Sequence, residues 1–148
     1  MPPACIFCEI LAGRAPASFV HRDELVSAFL DIQPMRPGVC LVIPNAHVDH
    51  FTDLDDRTAQ HALLVGQRIG RRMREVFRPL RIGFVVSGFG VAHAHLIVVP
   101  QHDPSDITSG RFARLEGGKI AFGASHIPRP ERALLDEQAR QLGPVRLP

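Results

Sequence analysis

Two histidines two residues apart, His93 and His95, stand inside the apolar run VAHAHLIVVP. In an extended strand, residues i and i+2 share a face, so the two imidazoles would lie side by side with Ile97 next on that face. The pair admits three kinds of chemistry. Both rings can hydrogen-bond to backbone in a half-buried strand. They can ligate a metal, since neutral imidazole is a common zinc ligand. A neutral imidazole can also attack phosphorus, splitting one hard displacement into two easier ones through a covalent intermediate. Near the amino terminus, Cys5-x-x-Cys8 supplies two of the four ligands a structural zinc needs. A redox pair and two ordinary thiols are the other readings, although no thioredoxin-like βαβ pattern follows. No local histidine pair completes a zinc finger, so any further ligands must come from distant positions.

The elements that would position these residues can be read from periodicity. A short amphipathic segment covers about residues 5 to 12. Phe19–His21 and Leu25–Ile32 read as strands turned by Arg22-Asp23-Glu24, and Pro34 to Gly38 reads as a loop. Val39–Pro44 is an apolar, β-branched run of strand length. Asp53, Asp55 and Asp56 offer helix N-caps. After them Ala59, Leu63, Ile69, Met73, Val76 and Phe77 recur near helical period, and the helix must end before Pro79. Ile82–Val86 and Ala92–Val99 are expected as strands joined by a tight turn at SGFG. Beyond Pro100 the chain reads as polar and irregular. A last helix spans about Glu131 to Leu142, between Pro130 and Gly143. Strand pairs with short turns and one long central helix predict an α+β fold with a mainly antiparallel sheet.

The 148 residues suit one domain with a real core, and 45% apolar with 22% charged residues is an ordinary globular composition. A net charge of +2 argues for neither nucleic-acid nor membrane binding. Arg68, Arg71, Arg72 and Arg74 read as the solvated face of a helix. The amino terminus lacks a signal-peptide pattern and no apolar run reaches membrane-spanning length, so a soluble, cytoplasmic protein is expected. Three cysteines do not make a disulfide framework, and Cys40 in an apolar strand reads as a buried small hydrophobe.

Three segments carry a resemblance to the histidine triad (HIT) superfamily of nucleotide hydrolases and transferases. CIFCEILAGRAPASFVHRDELVSAFLDIQPMRPG resembles the amino-terminal half of bacterial members, LVIPNAHV the segment after their central strand, and VAHAHLIVVP the His-x-His-x-His signature strand. The similarity runs from Cys5 to Pro100, in the family's order and spacing. It implies a single HIT-like domain over 1–148, with the signature region at about 5–100 and a carboxy-terminal extension at 101–148. The implied fold is a mainly antiparallel five-stranded sheet with one long central helix and short terminal helices. It also implies that His93 and His95 are the first two triad histidines. His95 would be the nucleophile that attacks the α-phosphorus of a nucleotide conjugate. Ile6, Phe7, Phe29, Leu30, Asp31 and Ile32 would surround base and ribose, with apolar groups on the base and a carboxylate for ribose hydroxyls. Plain core packing is the bland reading of Phe7 and Phe29. Ser87 and nearby backbone would hold phosphate. Several bacterial relatives bind zinc at positions that correspond to Cys5, Cys8, His47 and His93, a closed Cys2His2 set. A homodimer with a sheet continued across its interface is implied as well.

The pattern breaks at three places. Ile97 stands at the third triad position and offers neither a proton nor a hydrogen bond. Val39 replaces a further active-site histidine, and the loop before the signature strand is short, with only Ser87-Gly88-Phe89-Gly90. A lost polar transition-state contact costs about a hundredfold or more in rate. His102 and Asp103 could supply a substitute acid or base, or form a solvated loop pair, and His50, His61 and His126 read as similarly solvated. Three functions follow from these residues: a HIT-type nucleotide phosphohydrolase or nucleotidyl transferase, a non-catalytic nucleotide-binding protein, or a zinc-stabilised interaction domain. His95 favours the first, Val39 and Ile97 favour the second, and Asp31 with its apolar neighbours argues against the third.

Overall fold

A computed structural model describes residues 4–107 and 112–148. Helix α1 (Ile6–Leu11) leads into strands β1 (Phe19–Arg22), β2 (Val26–Leu30) and β3 (Cys40–Pro44). Helix α2 (Asp56–Val76) then crosses to β4 (Arg81–Val85) and β5 (Leu96–Gln101). These strands form one antiparallel sheet in the order β1-β2-β3-β5-β4. The expected α+β architecture is therefore present, with α2 as its long central helix and α3 (Arg132–Leu142) as a terminal one.

Of the three candidate N-caps, Asp55 is the cap. Its carboxylate accepts from the Thr58 N–H at 2.9 Å and the Thr58 hydroxyl at 2.8 Å. At the other end Arg78 takes a positive φ of 50° and Pro79 cannot continue the helix. One face of the sheet packs on the helices. Val26, Ala28 and Leu30 of β2, with Cys40, Val42, Leu96 and Val98, meet Ala62, Val65, Ile69 and Met73 of α2 and Leu135 and Leu142 of α3. Two glycines bring α2 close to the sheet. A Cβ on Gly66 would lie 2.9 Å from Leu96 Cδ2, and one on Gly70 would lie 3.0 Å from Ile82 Cγ2. The opposite face carries a smaller cluster of Phe7, Ile10, Phe29 and Ile43, which docks α1 on the sheet.

Two expectations need correction. Pairing between β4 and β5 stops at Val85–Ile97, so residues 86–95 form a long connection rather than a tight turn. Strand β5 begins at Leu96, not Ala92. The segment before it is held differently: the Ala94 N–H donates to the Val48 carbonyl at 2.7 Å. Pro44 opposite it has no N–H to extend a ladder. Second, the extension is not wholly irregular. Strands β6 (Ala113–Glu116) and β7 (Lys119–Phe122) form a hairpin. Its turn, Gly117-Gly118, has φ of 55° and 77°, the left-handed pair that a two-residue hairpin favours. For residues 108–111 the expectation lies outside the described residues. The extension folds back on the loop after β2, where the Gln33 amide donates to the Ala124 and Ile127 carbonyls at 2.7 and 2.8 Å. Among the described residues no helix is long and apolar enough to cross a membrane.

Candidate functional site

His93 and His95 lie in the segment that feeds β5, His93 in a bend where its N–H donates to the Val91 carbonyl, and both are buried, at 0% and 7% exposure. Both rings contact Phe7 in T-shaped geometry, at centroid distances of 5.7 and 5.6 Å. Each ring has one nitrogen assigned by a backbone carbonyl. His95 Nδ1 is 2.7 Å from the His93 carbonyl oxygen. A carbonyl only accepts, so Nδ1 carries the proton and the neutral ring keeps its lone pair on Nε2. His93 shows the reverse arrangement. Its Nε2 is 2.8 Å from the Pro44 carbonyl, which leaves the lone pair on Nδ1.

That Nδ1 faces Cys5, which precedes α1 as its N-cap, and Cys8 within it, at 3.4 Å from Cys5 Sγ and 3.7 Å from Cys8 Sγ. His47 Nδ1 is 3.3 Å from Cys8 Sγ. The four donor atoms all lie within 4.8 Å of one another. Zinc with bonds of about 2.1 Å to nitrogen and 2.3 Å to sulfur places tetrahedral ligands roughly 3.4–3.8 Å apart, so the donor set fits. Burial, and after it the nearby His47, push the His93 imidazolium down, which keeps the ring neutral. Burial and the neighbouring Cys5 push the Cys8 thiol up, so a metal must displace its proton. The site would tie α1 to both the β3 exit and the histidine segment.

Phe7 joins this cluster to Phe29 of β2. It is 5% exposed and sits edge-on to Phe29 at 5.4 Å. Asp31 follows β2, and its Oδ1 accepts the Gln33 N–H at 2.9 Å. Burial raises the Asp31 carboxyl, partly offset by that N–H and by His95. Ile6 and Ile32 are 47% and 44% exposed. Leu30 is 1% exposed. It points into the core under α2, because a strand alternates faces and Phe29 holds the other one.

Ser87, His93 and His95 line a cavity of about 180 Å³, together with Gly88, Val91 and Ala94. Phosphoryl-sized space therefore lies beside the imidazole, and residues 49–52 close another side of it, His50 among them although it was expected only as a solvated residue. Ile97 sits two residues after His95, paired with Leu41 and Val85. Val39 is buried at 1% exposure, and its carbonyl accepts the Asp31 N–H at 2.9 Å. His102 and Asp103 follow the far end of β5, roughly 20 Å along the strand from His95. There their N–H groups hold the buried Asp106, so neither is a substitute acid or base for this His95. The two carbonyls that orient the rings, of His93 and Pro44, are backbone groups that sequence reasoning did not single out.

A five-stranded antiparallel sheet backed by one long helix, with paired imidazoles presented at the opening of β5, defines the α+β class of the chain. Residues 12–104 match the HIT domain family, and the chain belongs to that family. It is 34% identical over 107 residues to Protein hit of Bacillus subtilis, covering 69% of this chain and 74% of that one. It is 30% identical over 101 residues to adenosine 5′-monophosphoramidase HNT1 of Saccharomyces cerevisiae, covering 68% and 64%. The crystal structure of a Zn-bound histidine triad family protein from Mycobacterium smegmatis superposes with a TM-score of 0.70. It is 31% identical, covering 94% of this chain and 90% of that one.

Proposed function

We infer that the whole chain, 1–148, acts as one HIT-type nucleotide phosphohydrolase or nucleotidyl transferase. The observation that carries this reading is the His95 tautomer. With Nδ1–H donated to the His93 carbonyl, Nε2 offers a lone pair beside the cavity that Ser87 lines. In the proposed reaction Nε2 attacks the α-phosphorus of a nucleotide conjugate. The bond from phosphorus to the leaving group breaks, and the leaving group departs with that electron pair and takes up a proton. Water then attacks the nucleotidyl-histidine, releasing the nucleotide and restoring the neutral ring. Ser87 and the adjacent backbone N–H groups hold the phosphate oxygens, and Asp31 accepts from ribose. Phe7, Phe29, Ile6 and Ile32 pack around the base. The relatedness to a yeast monophosphoramidase supports an amine among the leaving groups.

Zinc at Cys5, Cys8, His47 and His93 is part of the same proposal, supported by the donor geometry and the Zn-bound mycobacterial relative. Its role is structural, since four protein ligands close the coordination sphere. Three free cysteines suit the reducing cytoplasm. A homodimer formed through the unpaired edge at β4 is proposed too, supported by half-exposed Phe84 and Val86 along that edge. Ile97 and Val39 favour a second reading, a nucleotide-binding protein without turnover, because both put alkyl groups where a polar contact would assist the leaving group. A panel of nucleoside phosphoramidates and dinucleoside polyphosphates decides between them. Turnover that is lost in His95→Ala supports the enzyme, and equal rates for both proteins leave the binding reading.

A further inference from the structure

His61 was expected on a solvated surface, yet its side chain is only 22% exposed and it meets a second histidine and a carboxylate. His21 Nε2 and His61 Nε2 lie 2.5 and 2.6 Å from the same oxygen, Asp23 Oδ2. Three separate elements supply these groups: β1, the turn after it, and α2. The cluster belongs to the helix-covered face of the sheet, whereas Phe7 and the Cys5–His93 cluster occupy the other.

The local backbone is arranged to produce this meeting. Phe19 pairs with Phe29, but the register then slips and His21 pairs with Ala28. Without that bulge His21 would share the face of Phe19. With it, His21 shares the face of Ala28, under α2, where His61 waits. Bulges commonly re-aim a side chain in this way. Asp23 is held just as firmly. Its Oδ1 accepts the Leu25 and Val26 N–H groups, both at 2.9 Å, so Oδ2 is the oxygen turned to the imidazoles. The Asn45 amide donates to the Asp23 carbonyl at 2.7 Å, fixing the turn from the β3 side. Such outer partners orient metal ligands in built sites.

We propose that His21, Asp23 and His61 form a second metal site, open to solvent, for a late first-row divalent ion of the zinc or nickel type. Two imidazoles and one carboxylate match the donor preference of those ions. The three donor atoms already lie within 4.8 Å of one another. A cation about 2.1 Å from each needs donors roughly 3 Å apart in an octahedral arrangement and roughly 3.4 Å in a tetrahedral one, so each ring retreats by about 0.4–0.9 Å. Each neutral imidazole moves its proton from Nε2 to Nδ1 and presents the lone pair to the ion. Asp23 and His61 also line a cavity of about 610 Å³ shared with Glu24, Arg57 and Gln60. With three protein ligands the remaining positions open to that cavity, and water fills them. The ion is thus exchangeable, unlike one closed in by four ligands.

The test uses the full chain, stripped with chelator, reloaded with zinc and equilibrated by dialysis against a fixed concentration of free zinc. Two ions per chain are expected for wild type, and one each for His21→Gln and His61→Gln. The Cys8→Ala protein should keep the ion at His21, Asp23 and His61. Nickel titration followed by NMR gives an independent readout on the unmodified protein. The His21 and His61 ring signals should broaden first among the histidines outside the cysteine cluster. Loss of a ligand should weaken binding by more than the roughly 10- to 100-fold that outer partners contribute. One ion per chain in wild type, a second ion that persists in both glutamine variants, or nickel broadening centred on other histidines would each overturn the proposal.

Discussion

Asp31→Asn separates a binding residue from a structural one, because the two roles predict opposite changes in stability. Burial raises the Asp31 carboxyl above its ordinary value near 3.8. A folded-state value above the unfolded one means that the fold prefers the protonated acid. Wild type therefore gives up stability as pH rises from the unfolded value through the folded one, and the deficit is constant above that. Asparagine carries no charge, and its side-chain oxygen can still accept the Gln33 N–H that Asp31 accepts at 2.9 Å. The variant should be at least as stable as wild type at pH 7, with the difference shrinking toward pH 3. Ribose recognition should move the other way. Losing hydrogen bonds to a charged acceptor costs about 1.5–3 kcal/mol, or roughly 10- to 150-fold in affinity for a nucleoside monophosphate. Urea unfolding across pH and calorimetric titration measure the two effects. Loss of about 1–3 kcal/mol of stability with unchanged nucleotide affinity would make Asp31 a structural group and refute the reasoning.

Cys8→Ala should lower both zinc content and melting temperature, because structural metal binding contributes directly to folding; elemental analysis with calorimetry checks this. Gly66→Val should cost about 1–3 kcal/mol by pushing α2 off Leu96, whereas Gly88→Ala, with nothing within 4 Å of the new Cβ, should be neutral in the same thermal scans. Ile97→His should raise turnover most for the poorer leaving group, since good leaving groups need less protonation in the transition state; single-turnover rates on an activated ester and a phosphoramidate test it.

Much of the site was legible because short-range periodicity carries over into space. The i, i+2 spacing of His93 and His95 put both rings against Phe7 even though β5 starts later than expected. That late start was not legible, since it depends on Pro44 of another strand and on a tether to Val48. Phe29, Leu30, Asp31 and Ile32 were all expected around base and ribose, but successive strand residues face opposite sides, and Leu30 packs in the core under α2. The hairpin after residue 112 had a signal in Gly117-Gly118 that polar neighbours obscured. His61 was read as solvated because its partners are 38 and 40 residues away in sequence and are brought to it by a strand bulge.

The central claim is that His95 Nε2 forms a covalent bond to phosphorus. Rapid mixing with a nucleoside phosphoramidate, acid quench and intact-protein mass spectrometry test it directly. The protein should gain the mass of one nucleotidyl group within a single turnover, with the adduct mapped to the peptide carrying His95 and absent from His95→Ala. Substrate cleavage without any adduct on that peptide, or an adduct that survives the His95→Ala substitution, would contradict the account.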